Sequence, residues 1–113
     1  MHEVGVAQSI MEIVLDTARK NNAAAVKKVG IKIGALSGVE QFSLKFALEA
    51  IKEGSLAHDA VFELEYIPAR GICGECNKES EPDTFFSVCS HCNSPALEIT
   101  SGEEFEIAYI DID

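Results

Sequence analysis

The chain has 113 residues, of which 47% are hydrophobic and 25% are charged, and these values predict one folded domain and exclude a largely disordered protein. The 9 basic and 19 acidic residues give a net charge of −10, which disfavours binding to nucleic acid or to anionic membrane surfaces. No stretch approaches the roughly 20 apolar residues of a membrane span and no signal peptide is apparent, so we expect a cytoplasmic location with reduced thiols.

The first third of the chain predicts a helix and then a strand. Apolar residues recur between Ala7 and Ala18 at the spacing of one helix face, which predicts a helix from Val4 to about Asn21. Beyond Asn21-Asn22, apolar positions from Val29 to Ala35 alternate with lysine and glycine. This alternation is typical of a half-buried strand.

A second helix and a second strand are predicted next. Ser37-Gly38-Val39-Glu40 matches a capping box, in which Ser37 and Glu40 each bind a backbone N–H at a helix start. The helix is expected to end near Gly54, and alternation over residues 60–67 predicts a strand that ends at Pro68. Four phenylalanines stand at core spacing and are predicted to pack inside: Phe42, Phe46, Phe62 and Phe105.

Residues 71–95 lose this periodicity and contain all four cysteines. After them, residues 96–100 and 104–112 predict two strands joined at Ser101-Gly102 as a hairpin. The predicted fold class is α+β: two helices packed on a small mixed or antiparallel sheet, with an inserted four-cysteine zinc-ribbon module. The predicted domains are an α+β domain of residues 1–69 and 96–113 and a zinc-binding module of residues 70–95.

The cysteines form two C-x-x-C pairs. Cys73-Gly74-Glu75-Cys76 and Cys89-Ser90-His91-Cys92 are twelve residues apart, which lets two tight turns place four thiolates around one tetrahedral ion. Zinc is favoured over iron, which accepts the same ligands. A thioredoxin-like redox pair is disfavoured because neither pair begins a helix in a βαβ context. A nucleic-acid ribbon is disfavoured by the acidic composition of the segment.

The histidines and serines suggest no catalytic site. His91 is interpreted as an exposed side chain, because four thiolates already fill a tetrahedral shell, and the alternative is that it joins or exchanges into the coordination sphere as its protonation changes. His58 stands in a polar stretch and is expected in a surface loop. No known order of catalytic serine, histidine and carboxylate occurs, and no phosphate-binding loop, so we predict that the protein is not an enzyme.

The beginning of the chain offers a second set of metal donors. A bulky second residue is expected to keep Met1 in place, so that its amine, the His2 imidazole and the intervening amides can act together. Such a planar set of nitrogen donors suits Ni(II) or Cu(II). By this chemistry alone, a solvated histidine near a chain end is the simpler interpretation.

The chain begins with Met1-His2-Glu3 before a helix and continues with Lys32-Ile33-Gly34-Ala35-Leu36-Ser37-Gly38-Val39, the paired C-x-x-C segment and the closing strands. Along the whole chain, this combination resembles the HypA/HybF family of hydrogenase maturation nickel chaperones. The resemblance implies that the α+β domain carries transported Ni(II) on His2, with the Met1 amine and the Glu3 backbone, and that the cysteine module holds structural Zn(II). In some relatives a carboxylate at the start of the second helix approaches nickel, and the matching residue here is Glu40. Ser90 departs from the proline common in the family.

The resemblance also implies a role and partners. The role is that of a nickel metallochaperone, and the partners are a maturation GTPase and the large subunit of a [NiFe] hydrogenase. An acidic surface would guide docking to basic patches on either partner. The alternative is a zinc-ribbon adaptor that binds another protein without delivering metal. The sequence leaves open whether the protein is a monomer or a homodimer, how tightly it holds nickel, and whether urease is also a client.

Overall fold

The computed structural model describes residues 3–113, and Met1 and His2 lie outside the described residues. Over this range the chain forms two helices and six strands in the order α1, β1, α2, β2, β3, β4, β5, β6. Their bounds are α1 Glu3–Lys20, β1 Val26–Gly34, α2 Gln41–Ile51, β2 Val61–Ile67, β3 Arg70–Cys73, β4 Glu79–Ser80, β5 Leu97–Ser101 and β6 Phe105–Ile112. No described helix is long and apolar enough to cross a membrane.

Helix α1 confirms the first predicted helix to within one residue at each end. Its last turn carries Arg19 and Lys20, whose charges favour the negative end of the helix dipole. The helix stops where Asn22 adopts a left-handed φ of 51° and the Ala23 N–H donates to the Ala18 carbonyl at 2.9 Å. The apolar face predicted from the spacing is buried: Ala7, Ile10, Met11, Val14 and Ala18.

Strands β2, β1 and β6 form one sheet in that order. At one end of β1 the Asp113 N–H donates to the Ala25 carbonyl, and at the other the Gly34 N–H donates to the Glu104 carbonyl, so β6 runs antiparallel to β1. A Cβ at position 30 would overlap the Tyr109 ring, which explains a glycine in the middle of β1. The buried positions of the strands include Val29, Ile31 and Phe62.

Helix α2 begins later than the capping box predicts. Its N-cap is Glu40, whose carboxylate accepts from the N–H groups of Phe42 and Ser43, so the prediction of Ser37 in that position is wrong. Gly38 explains the difference, because its φ of +80° is left-handed and cannot belong to the first turn of an α-helix.

The side chains that α2 buries also differ from the predicted core. Leu44, Ala47 and Leu48 face inward, at the i, i+3, i+4 spacing of one helix face. Phe42 and Phe46 lie on the adjoining face and are 76% and 78% exposed. Phe105 in β6 is 39% exposed. Of the four phenylalanines predicted to be buried, Phe62 alone is, with no exposed surface.

The predicted hairpin between the last two strands is wrong. Strand β5 pairs antiparallel with β3 in a second sheet of order β4-β3-β5, whereas β6 belongs to the first sheet. The backbone at the expected turn is used otherwise, since the Gly102 carbonyl accepts from the Leu36 N–H at 2.7 Å and the Glu104 carbonyl accepts from Gly34. Ser101-Gly102 is therefore the point where the chain leaves one sheet for the other.

The described chain forms two compact units. The first contains residues 3–32, Val39–Glu65 and Glu106–Asp113, and the second contains Ile33–Gly38 and Tyr66–Phe105. The predicted zinc module, residues 70–95, lies within the second unit, which also includes β5 because that strand pairs with β3. Two helices, small sheets with antiparallel pairing and four clustered cysteines confirm the predicted α+β class.

The burial of the phenylalanines predicts very different costs for two alanine substitutions. Phe62→Ala removes a fully buried ring and should lower the free energy of unfolding by about 3–5 kcal/mol. Phe46→Ala, at an exposed position of α2, should change it by less than about 0.5 kcal/mol. Urea unfolding followed by circular dichroism measures both, and equal losses would contradict the assigned core.

Candidate metal centres

The four cysteines converge on one point of the second unit. Cys73 ends β3, and all four sulfurs lie within 4.8 Å of one another. The Sγ atoms of Cys73 and Cys92 are 3.6 Å apart, as are those of Cys76 and Cys89. These distances are too long for disulfide bonds. They match a tetrahedral ion with metal–sulfur bonds of about 2.3 Å, which separates its sulfurs by about 3.8 Å.

The two C-x-x-C segments adopt the same backbone conformation. In each segment, the backbone N–H of the first cysteine donates to the carbonyl of the residue five positions later. The carbonyl of the same cysteine accepts from the N–H of the residue four positions later. That fourth residue is an asparagine in the left-handed region, Asn77 with φ 60° and Asn93 with φ 61°. The bonds are Cys73 to Lys78 at 3.1 Å, Asn77 to Cys73 at 3.0 Å, Cys89 to Ser94 at 2.9 Å and Asn93 to Cys89 at 2.9 Å.

These asparagines are site residues that sequence reasoning missed. The available signal was an asparagine directly after each C-x-x-C, since asparagine tolerates positive φ better than other non-glycine residues. Each one closes the turn that aims two sulfurs at a common centre. The cage therefore depends on the residues following the cysteines as well as on the cysteines.

Backbone N–H groups favour the thiolate form of two cysteines. The N–H of Cys76 lies 3.5 Å from the Cys73 sulfur and lowers the pKa of that thiol. The N–H groups of Cys92 and His91 lower the pKa of the Cys89 thiol to about 6. Both effects have the same cause, because an N–H dipole pointing at sulfur stabilises its negative charge.

The fourth thiol resists ionisation. The N–H of Ser94 lowers the pKa of Cys92, but burial and the three neighbouring cysteines outweigh it and raise that pKa to about 12. Accumulating negative charge on four adjacent sulfurs therefore requires a cation among them. A divalent metal ion fits both the distances and the charge of this donor set.

The two described histidines stand outside the cysteine cluster. The His91 Nε2 lies 3.0 Å from the Glu79 carbonyl oxygen, so its ring is engaged with the backbone. His58 is exposed and its Nδ1 lies 2.8 Å from the Ser55 carbonyl oxygen, in the loop where the sequence predicted it. Neither histidine is among the four clustered ligands.

The second predicted centre lies at the start of the first unit. Met1 and His2 are outside the described residues, whereas Glu3 and Glu40 are brought together although they are 37 residues apart. The Glu3 Oε2 accepts from the Glu40 N–H at 3.2 Å, which joins the first turn of α1 to the N-cap of α2. The structure thus places Glu40 next to Glu3, the residue whose backbone the resemblance assigns to nickel.

The Glu40 carboxylate already serves helix α2. Its Oε2 accepts from the Phe42 N–H at 2.6 Å, and its Oε1 accepts from the Ser43 N–H at 3.2 Å and from the Ser43 hydroxyl at 3.1 Å. The bond from Phe42 lowers the pKa of this carboxyl group below its usual value, with Ser43 acting in the same direction. Glu40 is therefore anionic at neutral pH, and its charge lies at the positive end of the α2 dipole.

Comparison with known proteins places this arrangement in a family context. A family model described as "Hydrogenase/urease nickel incorporation, metallochaperone, hypA" matches residues 1–112. The chain is 35% identical to hydrogenase maturation factor HypA of Dechloromonas aromatica over 113 residues, which cover 100% of both chains. It is 36% identical to hydrogenase maturation factor HypA of Aquifex aeolicus, covering 100% of this chain and 98% of that one.

Solved structures agree with the sequence matches. The solution structure of the Ni metallochaperone HypA from Helicobacter pylori is similar with a TM-score of 0.67 and 27% identity, covering 99% of this chain and 97% of that one. A second solution structure of a HypA protein gives a TM-score of 0.70 at 27% identity, covering 100% and 97%.

The left-handed asparagines predict how the cysteine cage responds to substitution. Asn93→Val places a β-branched residue at φ 61° and should cost about 1–3 kcal/mol of local stability, so metal affinity should fall roughly tenfold or more. Asn93→Gly should bind metal as the parent does, because glycine adopts this φ without strain. Competition with a chromophoric chelator measures the affinities, and equal values for the valine and glycine variants would contradict the assigned turn.

Proposed function

Because the chain belongs to the HypA family of hydrogenase/urease nickel-incorporation metallochaperones, we propose that it binds Ni(II) through Met1, His2 and Glu3 and delivers it during maturation of [NiFe] hydrogenase. The family description names a carrier, so the prediction that the protein is not an enzyme is confirmed. Nickel is the cargo in this proposal and not a resident cofactor.

The observation that supports the position of the nickel site is the bond between Glu3 and Glu40. It ties Glu3, the first residue of α1 and one of the donors in the proposal, to the N-cap of α2. A donor set at a chain end suits a carrier, since metal exchange can proceed one donor at a time. Its affinity should fall at low pH, because protons compete for the amine and the imidazole.

Glu40 is proposed to contact nickel in addition to capping α2. Three donors of the described residues bond to the Glu40 oxygens, and a carboxylate can bind a cation while it accepts hydrogen bonds. The negative charge of the group lies close to Glu3, which favours a cation there. Nickel binding and the start of α2 are therefore coupled through one side chain.

We propose that the second centre holds Zn(II) in a structural role, on Cys73, Cys76, Cys89 and Cys92. Four protein ligands complete a tetrahedral shell and leave no open position for a substrate, which is typical of structural zinc. Zinc bound there would hold β3 and the two C-x-x-C turns together without taking part in nickel transfer. Iron remains the competing ion, and elemental analysis of purified protein distinguishes the two.

The proposed partners are a maturation GTPase and the large subunit of a [NiFe] hydrogenase, in the cytoplasm. The chain has 19 acidic and 9 basic residues, and this excess of negative charge supports docking to basic surfaces on these proteins. The same charge argues against nucleic acid as a partner. Homodimer formation is compatible with this role and is tested by sedimentation.

Nickel titration of the untagged protein tests the main proposal. The parent should bind about one Ni(II) per chain, and His2→Ala should abolish this binding while zinc content stays constant. Calorimetry with metal analysis measures both quantities. An N-terminal extension should act like His2→Ala because it removes the free amine. Cys76→Ser is the opposite control, since it should release zinc without removing the proposed nickel donors. Undiminished nickel binding by His2→Ala would refute the site.

Glu40→Gln separates the two roles of that residue. Glutamine keeps one of the two acceptor oxygens of the cap and lacks the negative charge, so nickel affinity should fall by roughly tenfold or less, and thermal stability should fall less than in Glu40→Ala. Glu40→Ala should lower both the nickel affinity and the thermal stability. Unchanged nickel affinity in the glutamine variant would restrict Glu40 to its capping role.

A further inference from the structure

The first unit carries an exposed apolar groove between α1 and α2. The groove has a volume of about 660 Å³, and Glu3 and Ser43 are its polar lining residues. Its apolar lining comes from both helices: Val4, Phe42, Phe46, Ala47, Ala50 and Ile51. The residues contributed by α2 follow the spacing i, i+4, i+8 and form one continuous stripe.

Helix α2 therefore carries apolar side chains that are not buried in the core of the first unit. Leu44 and Leu48 are fully buried, whereas Phe42, Phe46 and Ala50 are exposed on the adjoining face. Two neighbouring phenylalanines open to water are unfavourable unless a partner covers them. Val4, 59% exposed, continues this surface onto α1.

Helix α2 contributes no positive charge to the groove, because its lysines point elsewhere. The Lys45 amine donates to the Phe62 carbonyl at 2.8 Å, and the Lys52 amine donates to the Ala60 carbonyl at 3.0 Å. Both cations are thus held at the strand side of α2, away from the stripe of Phe42 and Phe46.

Further along α1 the surface is mainly acidic. A second depression meets the first at Ile51, and its charged lining residues are Glu12, Asp16 and Arg19. Asp16 is paired with Lys20 at 3.0 Å, so the carboxylates of Glu3 and Glu12 against the guanidinium of Arg19 leave a small excess of negative charge along the two depressions. The excess of negative charge favours a basic occupant.

We propose that this groove binds an amphipathic helix of a partner protein, with an apolar stripe flanked by lysine or arginine. The 11 residues of α2 are about 16 Å long, which matches three turns of a partner helix. Ala50 is exposed beside the two phenylalanines and lets a helix approach closely, and the phenylalanines supply aromatic anchors. A second copy is disfavoured because each chain carries a net charge of −10.

The groove begins beside the proposed nickel site. Glu3 lines one end of it, and the N–H of Phe42 is bound by the Glu40 carboxylate. A helix in the groove would therefore lie next to both carboxylates. The binding itself does not require nickel, so it stands or fails independently of the nickel proposal.

A stapled amphipathic peptide of about 14 residues, with leucine at i, i+3, i+4 and i+7 and lysine elsewhere, is the probe. Fluorescence anisotropy should show that the full-length protein binds it, and that Phe42→Ser with Phe46→Ser weakens binding at least about tenfold. Phe86→Ser is the matched control, because Phe86 is 92% exposed but belongs to the second unit. A peptide with glutamate in place of lysine should bind at least about tenfold more weakly.

Several outcomes would overturn the proposal. They are no binding of the lysine peptide, equal binding of the glutamate peptide, and equal losses in the groove variant and in Phe86→Ser. Dimerisation of the parent that the groove variant abolishes, measured by sedimentation, would assign the groove to a second copy instead. Unchanged circular dichroism, zinc content and nickel titration of the groove variant show that it is folded and that any loss concerns docking alone.

Discussion

Four cysteine sulfurs within 4.8 Å of one another can all be ionised only with a cation among them, and this constraint governs the second unit. The strands of this unit are short, and β4 has only two residues. Few large apolar side chains are buried there, so a metal ion bound by the cysteines would provide the cohesion that a hydrophobic core provides in the first unit. The paired left-handed asparagines and N–H···S contacts preorganise the backbone around it.

The two candidate centres differ in the way that the proposed functions would require. The cysteine cage has four protein ligands from two equivalent turns and is closed to further ligands. The proposed nickel donors instead lie at the beginning of the chain, with Glu3 tied to the N-cap of α2 by a single hydrogen bond. A structural ion is retained by a closed shell, whereas a transported ion has to leave through stepwise exchange. Under the proposed function, separate sites would allow one protein to satisfy both demands.

Local patterns predicted much of this structure. The apolar spacing predicted α1, the alternation predicted β1 and β2, and the C-x-x-C spacing predicted that four thiols meet. Two errors arose where a local signal had a competing explanation. Ser37 fits a capping box, but the left-handed Gly38 delays the helix until Glu40 caps it. Ser101-Gly102 suits a hairpin, but Ser101 pairs with Arg70 of β3 and the Gly102 carbonyl accepts from the Leu36 N–H.

The sequence by itself determined the α+β class, the composition of the cysteine cage and the resemblance to nickel chaperones, because periodicity and ligand spacing act over a few residues. Only the tertiary structure decided which phenylalanines are buried, since the spacing along the chain predicted both Phe42 and Phe62 as core residues. It also decided that Glu3 meets Glu40 and that β5 and β6 separate. These features depend on contacts between distant segments, and no local pattern encodes which distant partner a backbone group will find.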